Sequence, residues 1–326
     1  MALRYKYTET DKIKNLLIEI EAVKIVFNNL KILPQVEENL RRESLLNSSV
    51  YSARVEGNPS LPVDFESSDY LHKLEINNLL SAYKFVYSSK CPNKLSIPLV
   101  RKFHKKVMKN ISNNAGSFRT EPWAVFNQAG VAIYLAPLHT KILEMMNELI
   151  LMVGKTDLKP IIKAAITQFM FEKIHPFADG NGRVGRLLST FIMNKSGFGL
   201  RGLISSEVAI DEERDGYYHS LEPNNDATEF VEFYLECFIK EAKKMLEKAS
   251  TKNTVLPQDL LTPRRKEIYS VIKDHPYASF DMIYRRFNKI NQKTLHYDIS
   301  CLIKDGFIHK IGKTRGVTYI INKVNG

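Results

Sequence analysis

The chain has 326 residues, of which 44% are hydrophobic and 25% charged, and its net charge is +11. A chain of this length and composition can bury a sizeable core, and it more often forms two domains than one. No apolar run reaches the roughly 18 residues that cross a bilayer, no apolar stretch typical of a secretory signal follows the first residues, and the three distant cysteines match neither a disulfide framework nor a zinc motif. These features argue against a membrane span and a structural zinc site, and they predict a cytoplasmic protein.

Helices are predicted for most of the first 250 residues. Apolar residues recur at the spacing of an α-helix in segments 11–30, about 36–55, 71–87, 98–108, 160–173, 182–196 and 227–249. Gly57 and Pro59 are expected to stop the second of these helices, and Pro160 takes the first-turn position that proline favours. Residues 123–135 are instead rich in β-forming residues around a turn at 127–130, which predicts a short hairpin.

A separate C-terminal domain is predicted after a polar linker at residues 250–257. Its predicted elements are helices at 263–274, 279–287 and 293–304, the first capped by Thr262, and strands at 307–311 and 317–321. Three helices followed by a basic hairpin are typical of a winged helix-turn-helix domain. Residues 256–326 contain 13 basic and 6 acidic residues, a net charge of +7, so an acidic partner is expected here.

The segment HPFADGNGRVGR, which begins at residue 175, lies between two predicted helices and has the polar groups of a phosphate site. Gly180, Asn181 and Gly182 let the backbone turn closely and present its N–H groups at the start of the next helix, where anions bind. Arg183 and Arg186 follow within the first turn of that helix, and their guanidinium groups can hold phosphate oxygens. The segment therefore predicts a ligand that carries phosphate.

Two further side chains of this segment suggest a reaction. Asp179 supplies a carboxylate oxygen beside the expected anion site, which suits the Mg²⁺ that accompanies a nucleotide di- or triphosphate. His175 ends the preceding helix, and a histidine has an unperturbed pKa near 6.5, which suits a general base. Together these groups fit a phosphoryl or nucleotidyl transfer. The loop is not a Walker A loop, because GxxxxGK[ST] occurs nowhere in the chain.

The same segment resembles a known family. Every specified position of HxFx[DE]GNGRxxR, the signature of the Fic (Fic/Doc) family, is met by His175, Phe177, Asp179, Gly180, Asn181, Gly182, Arg183 and Arg186. The resemblance extends over about residues 10–245. Gly116 and Arg119 resemble the segment that leads into the family's flap, and residues 123–135 would be that hairpin, which aligns a target segment by strand addition. Further along the chain, the family has a stretch that borders the nucleotide. Four residues here resemble it: Arg214, Tyr217, Tyr218 and Leu221.

A second pattern lies upstream of the signature. The sequence SARVEG resembles the family's inhibitory pattern [ST]xxxE[GN], with Ser52 and Glu56 at its specified positions. Because these two residues are four apart on a helix, they can point together at one arginine. The resemblance implies that Glu56 pairs with Arg186 and occupies the place of the γ-phosphate of ATP.

The resemblance implies a fold and an activity. The expected fold is mainly α, with a Fic helical core, a β-hairpin flap and a small C-terminal winged-helix (α+β) domain, divided into residues 1–95, 96–250 and 256–326. Similar family members transfer AMP from ATP to a Ser, Thr or Tyr hydroxyl of a target protein. By this resemblance His175 deprotonates the hydroxyl, Asp179 holds Mg²⁺, residues 180–183 stabilise the phosphates and Arg186 grips the γ-phosphate.

Two alternatives stay open. Transfer of UMP, phosphate or phosphocholine uses related sites with the nucleotide placed differently, so the motif does not fix the donor. The second alternative is that the chain is a DNA-binding transcriptional regulator, in which the Fic fold senses a nucleotide. Basic side chains available for DNA phosphates are Arg285, Arg286, Lys289, Lys293, Lys310, Lys313 and Arg315. A homodimer also stays open.

Overall fold

The computed structural model describes residues 5–126, 132–155, 157–222, 225–251, 257–312 and 316–322. The chain divides into two compact units, Met1–Pro59 with Leu74–Asn253 and Ser60–Lys73 with Thr254–Gly326. The described residues are mostly α-helical with small antiparallel sheets, so the prediction of a mainly α fold is confirmed. Within the described ranges, every helix is too short or too polar to span a bilayer.

Ten α-helices and a hairpin follow one another along the described residues up to 251. The helices are α1 Asp11–Asn29, α2 Pro34–Val55, α3 Tyr70–Val86, α4 Ile97–Val107, α5 Ile142–Lys155, α6 Pro160–Ile174, α7 Asn181–Lys195, α8 Ser206–Glu212, α9 Arg214–Ser220 and α10 Thr228–Thr251. The strands β1 Ala124–Phe126 and β2 Ala132–Leu135 pair antiparallel where the sequence predicts a hairpin. Its predicted turn at residues 127–130 lies outside the described residues.

Helices α6 and α7 pack against each other and carry the residues of the site. Helix α6 is buried along almost its whole length, so it lacks the polar stripe of a surface helix and its burial fixes the position of its C-terminal end. Aromatic side chains surround this pair, with Phe169, Phe171 and Phe177 fully buried. Helix α1 packs against α10 and α2 against α8, so the N-terminal helices belong to the same unit as the signature segment.

The second unit contains a small sheet and three α-helices among its described residues. These are α11 Pro263–Asp274, β3 Ala278–Ser279, α12 Phe280–Arg286, α13 Gln292–Lys304, β4 Ile308–Ile311 and β5 Thr318–Ile321. The strand order is β3-β5-β4, and both pairs are antiparallel. The sequence did not indicate β3, which is only two residues long. Thr262 occupies the N-cap position of α11 as predicted, but its side chain makes no capping hydrogen bond.

A buried ion pair explains why residues 60–73 belong to this second unit. The Nε of Arg264 donates to Asp298 over 2.5 Å, and both side chains are buried. The same guanidinium donates to Glu66 and Ser67, each over 3.3 Å. Because a buried guanidinium needs acceptors for all its N–H groups, these contacts hold the 60–73 segment to α11 and α13.

Candidate active site

The turn between α6 and α7 begins and ends with left-handed backbone. His175 caps the end of α6 with φ 47° and ψ 60°, and its N–H donates to the carbonyl of Phe171 over 2.9 Å. Gly180 has φ 80° just before α7, a conformation that favours glycine, and a Cβ there would lie 2.8 Å from the Sδ of Met108. The turn therefore places His175 at one end and the N–H groups of the first turn of α7 at the other, where an anion is favoured.

Asn181 fixes the shape of this turn from inside. Its Oδ1 accepts from the N–H of Phe177 over 2.9 Å, and its Nδ2 donates to the carbonyl of the same residue over 2.8 Å. Phe177 in turn stacks on His104, with ring centroids 3.7 Å apart. The Asn181 side chain thus closes the loop onto a buried aromatic pair, which holds the backbone before α7 in one shape.

His104 is a supporting residue that sequence reasoning missed. Its Nδ1 accepts from the N–H of Gly116 over 2.7 Å, so its Nε2 carries the hydrogen that bonds the carbonyl of Asp179 over 3.0 Å. Burial lowers the pKa of His104 to about 4, which keeps the ring neutral and this pattern intact. A histidine on an amphipathic helix gives no sign of such a contact, because its partners are 12 and 75 residues away.

The His175 ring is held by a stacking contact, and the nearby carbonyl of Glu172 favours its protonated form. The indole of Trp123 stacks on the ring, with centroids 3.5 Å apart and planes 25° from parallel. Burial, together with the positive charge of Arg119, lowers the pKa of His175 to about 4. The imidazole is therefore uncharged at neutral pH and can accept a proton.

Arg186 is fully buried and paired with the two residues of the SARVEG pattern. Its Nη2 donates to the Oε1 of Glu56 over 2.8 Å and to the carbonyl of Ser52 over 2.8 Å. Its Nε donates to the Oγ of Ser52 over 3.0 Å, and its Nη1 to the hydroxyl of Tyr217 over 3.3 Å. The structure thus brings together Ser52, Glu56 and Arg186, as the sequence predicts.

Arg183 has different partners from Arg186. It donates to the Oδ1 of Asp179 over 2.7 Å and also pairs with Glu75, a carboxylate that sequence reasoning missed. The Asp179 side chain is 64% exposed, so its carboxylate can still reach a ligand. Among the described residues, the Nε of Arg183 is buried and has no hydrogen-bond partner, which leaves a donor near the loop for an anion.

A cavity of about 500 Å³ joins these groups. The predicted site residues among its lining are Glu56, His175, Asp179, Gly180, Asn181, Gly182, Tyr217, Tyr218 and Leu221, and further lining residues include Trp123, Tyr134, Glu172 and Lys173. Its size is that of pockets which bind small ligands. Arg183 and Arg186 lie behind this lining, held by Asp179 and Glu56 respectively.

The two predicted tyrosines differ in environment. Tyr217 is buried, and its hydroxyl accepts hydrogen bonds from Arg186 and Gln168. Tyr217 therefore helps to hold the Arg186 guanidinium in place. Tyr218 is half exposed, and its hydroxyl donates to the carbonyl of Val55 over 2.9 Å. Tyr218 therefore ties α9 to the end of α2, next to Glu56.

Glu172 is a carboxylate that the sequence did not single out. It lines the cavity, and its Oε1 is buried without a hydrogen-bond partner among the described residues. Burial, and next the charge of Glu56, raise the pKa of Glu172 to about 8. The Glu172 carboxyl is therefore mostly protonated at neutral pH.

Comparison with known proteins identifies the family of this region. Residues 94–193 match the model of the Fic/DOC family. They form a Fic/DOC family domain. The signature segment lies inside this Fic domain, whereas Glu56 and Tyr217 lie outside the matched range.

Curated relatives and solved structures extend the similarity. The chain is 28% identical over 122 residues to protein adenylyltransferase Fic of Drosophila virilis, which covers 37% of this chain and 24% of the relative. It is 29% identical over 192 residues to protein adenylyltransferase fic-1 of Caenorhabditis elegans, covering 57% and 36% respectively. The chain thus spans well under half the length of these relatives.

The fold is similar over a larger part of the chain. A Fic family protein from Desulfovibrio desulfuricans G20 superposes with a TM-score of 0.67 at 22% identity, covering 99% of both chains. Fic-1 from C. elegans superposes with a TM-score of 0.61 at 24% identity, covering 74% of this chain and 73% of that one. The predicted fold class, with its Fic helical core, is confirmed by these likenesses.

Proposed function

We propose that this chain is a protein adenylyltransferase, which transfers AMP from ATP to a Ser, Thr or Tyr hydroxyl of a target protein. The observation that carries the proposal is the arrangement of one cavity: an uncharged, half-buried His175 faces the same space as the N-terminal turn of α7. A base at one end and an anion site at the other are the parts that nucleotidyl transfer needs. The relatives named adenylyltransferases support the choice of AMP.

In the proposed reaction, the imidazole of His175 takes the proton from the target hydroxyl. The hydroxyl oxygen forms a bond to the α-phosphorus of ATP, and the bond from that phosphorus to the bridging oxygen breaks, so pyrophosphate leaves. The N–H groups at the start of α7 and the charge of Arg183 stabilise the negative charge on the phosphates. Arg186 would bind the γ-phosphate once Glu56 releases it.

Asp179 is the residue that would hold Mg²⁺. One exposed carboxylate fits this ion, because Mg²⁺ is commonly bound by one or two carboxylates together with substrate phosphates. The described residues contain no cluster of three or more metal-ligating side chains, so the nucleotide would have to complete the coordination. When bound, the ion would neutralise charge on the phosphates.

The proposed donor is tested with ATP labelled at different phosphates. The protein is incubated with a cell lysate and either α-labelled or γ-labelled ATP, and with α-labelled UTP as a parallel donor. We expect protein-bound label from α-labelled ATP only. Label from γ-labelled ATP would show phosphate transfer, label from UTP would show another nucleotide, and either result would replace the proposed reaction.

We also propose that α2 is an inhibitory helix. The Nε of Arg186 donates to Ser52, and its Nη2 donates to Ser52 and Glu56. The guanidinium therefore has few N–H donors left for a phosphate. Tyr218 bonds the last residue of α2 and thereby adds to the hold on this helix. In this state ATP would bind without its γ-phosphate on Arg186, and its α-phosphate would lie out of line with the incoming hydroxyl.

A second function, DNA binding by the second unit as a winged helix, is favoured by its exposed basic side chains. The exposed ones are Arg285, Arg286, Lys289, Lys293 and Lys310, while the predicted contacts Lys313 and Arg315 lie outside the described residues. Arg286 also pairs with Glu267 over 3.1 Å, which reduces its availability for phosphate. Lys289 and Lys293 flank the start of α13, the helix that would enter the groove.

The full chain should therefore bind duplex DNA weakly, with an affinity that falls steeply as salt rises. Gel shifts across a salt series measure this. Changing both Lys289 and Lys293 to Glu should weaken binding and lower the salt slope by about 2, one for each lost phosphate contact. The exposed Lys155 of the first unit provides a control, since Lys155→Glu should leave the shift unchanged. Binding that is absent at low salt, or insensitive to salt, would rule out this function.

A further inference from the structure

We infer that Trp123 is a positioning residue for His175: its indole stacks on one face of the imidazole and holds the ring in the orientation that proton transfer requires. Trp123 is the only tryptophan in the chain. The inference rests on the proposed function only in giving His175 the role of a base. The stacking itself is a property of the described structure and can be tested without any reaction.

The main chain of His175 is fixed before its ring is considered. A residue other than glycine in the left-handed region is uncommon, and it persists where surrounding contacts hold it. Here the N–H donates to the carbonyl of Phe171 over 2.9 Å, and the carbonyl accepts from the Nε of Arg119 over 2.8 Å. These two bonds set the direction in which the His175 side chain leaves the backbone.

A ring whose backbone alone is fixed could still turn about its side-chain torsions. The indole of Trp123, 3.5 Å away and 25° from parallel, fixes the plane of the ring.

Trp123 is itself tied to the backbone that holds His175. The Arg119 guanidinium, which bonds the His175 carbonyl, also donates to the carbonyl of Glu121 over 2.8 Å and to that of Pro137. The carbonyl of Trp123 accepts from the N–H of Ala136 over 3.0 Å, which closes the base of the hairpin. Arg119 thus connects both sides of the hairpin base to His175, so that indole and imidazole keep their relative position.

The stack also has an electrostatic effect. The indole keeps water from one face of the imidazole, and burial is the main cause that lowers the pKa of His175 to about 4. Among the charged groups facing the ring, Arg119 lowers the pKa further, while Glu56 and Asp179 raise it. Removing the indole would let water reach the ring and should return the pKa toward the ordinary 6.5.

The test is an NMR titration of the histidine ring signals in the full-length wild type, in Trp123→Phe and in Trp123→Ala. The His175 signal is assigned from its loss in His175→Gln. We expect a wild-type midpoint near 4, a similar midpoint in Trp123→Phe, which keeps an aromatic face, and a rise of about one unit or more in Trp123→Ala. An unchanged midpoint in Trp123→Ala would overturn the inference.

A second measurement covers the case in which Trp123→Ala does not fold. Because the chain has a single indole and protonated imidazole quenches indole emission, wild-type fluorescence should fall on acidification with the midpoint of the His175 titration, and this fall should vanish in His175→Gln. No fall in the wild type would contradict the stack. The labelled-ATP assay with Glu56→Gly, which lacks the proposed inhibitory carboxylate, separates the two ideas. A shifted titration in Trp123→Ala together with no transfer by Glu56→Gly would refute the proposed function and leave the positioning of the ring in place.

Discussion

Replacing His175 with alanine should lower AMP transfer by about 10² to 10⁴, the contribution of a positioned general base. In the proposed reaction the imidazole acts on the incoming hydroxyl and the phosphates bind at the N-terminal turn of α7, so ATP binding should be nearly unchanged. The ring is also not a member of the hydrophobic core, and its loss should leave the fold intact. Label transferred from α-labelled ATP and equilibrium ATP binding measure the two effects separately.

A matched control comes from a histidine elsewhere in the chain. His309 is exposed on β4 of the second unit, and His309→Ala should transfer AMP as the wild type does. The expected acid limb of the wild-type rate lies near pH 4, because the base is protonated below the lowered pKa of His175. Wild-type labelling by His175→Ala would show that the histidine is structural and that another group takes the proton.

Replacing Glu56 with glycine should raise AMP transfer by about 10- to 100-fold. The carboxylate makes a charge-assisted hydrogen bond to Arg186, and such bonds contribute about 1.5–3 kcal/mol, or one to two factors of ten. Without it the guanidinium can bind the γ-phosphate, and the α-phosphate can settle in line with the hydroxyl. Glu56 ends α2 with φ −89° and ψ 10°, a conformation that glycine also adopts, so the change does not strain the backbone. Autolabelling with α-labelled ATP measures the gain.

Two companion variants show whether the gain has the proposed origin. Glu56→Gln keeps the shape but removes the charge, so its activity should fall between those of the wild type and Glu56→Gly. Adding His175→Ala to Glu56→Gly should abolish the gain. Equal labelling by wild type and Glu56→Gly, with ATP bound alike in both, would show that α2 does not inhibit.

The sequence predicted those parts of the fold that local patterns specify. Apolar spacing located α1, α2, α4, α6 and α7 to within a few residues, because each of these helices buries one continuous face or is buried throughout. Helix α5 is not among the predicted helices. The attachment of residues 60–73 to the second unit depends on Arg264, almost 200 residues away from Glu66, and no local pattern records it.

In the candidate site, too, short motifs predict some residues, whereas long-range packing determines the others. The signature residues and SARVEG are short motifs, and the structure brings Glu56 to Arg186 as expected. The residues that hold these groups are distant in sequence: Trp123 reaches His175 from the hairpin, and Glu75 reaches Arg183 from α3. Such pairs form only when the helices pack, so a single sequence gives no signal for them.

The place of the Glu56 carboxylate has one further consequence. A Cβ at residue 182 would overlap its Oε1, so glycine there leaves a space that one negatively charged group can fill at a time. The Glu56 carboxylate belongs to the same chain, so its effective concentration at this space is constant. The concentration of free nucleotide, in contrast, varies with the state of the cell. If nucleotide binds here as proposed, its apparent dissociation constant when fully seated is the intrinsic value divided by the fraction of molecules with this space open. Under this scheme the chain responds to nucleotide supply through the population of a single side-chain position.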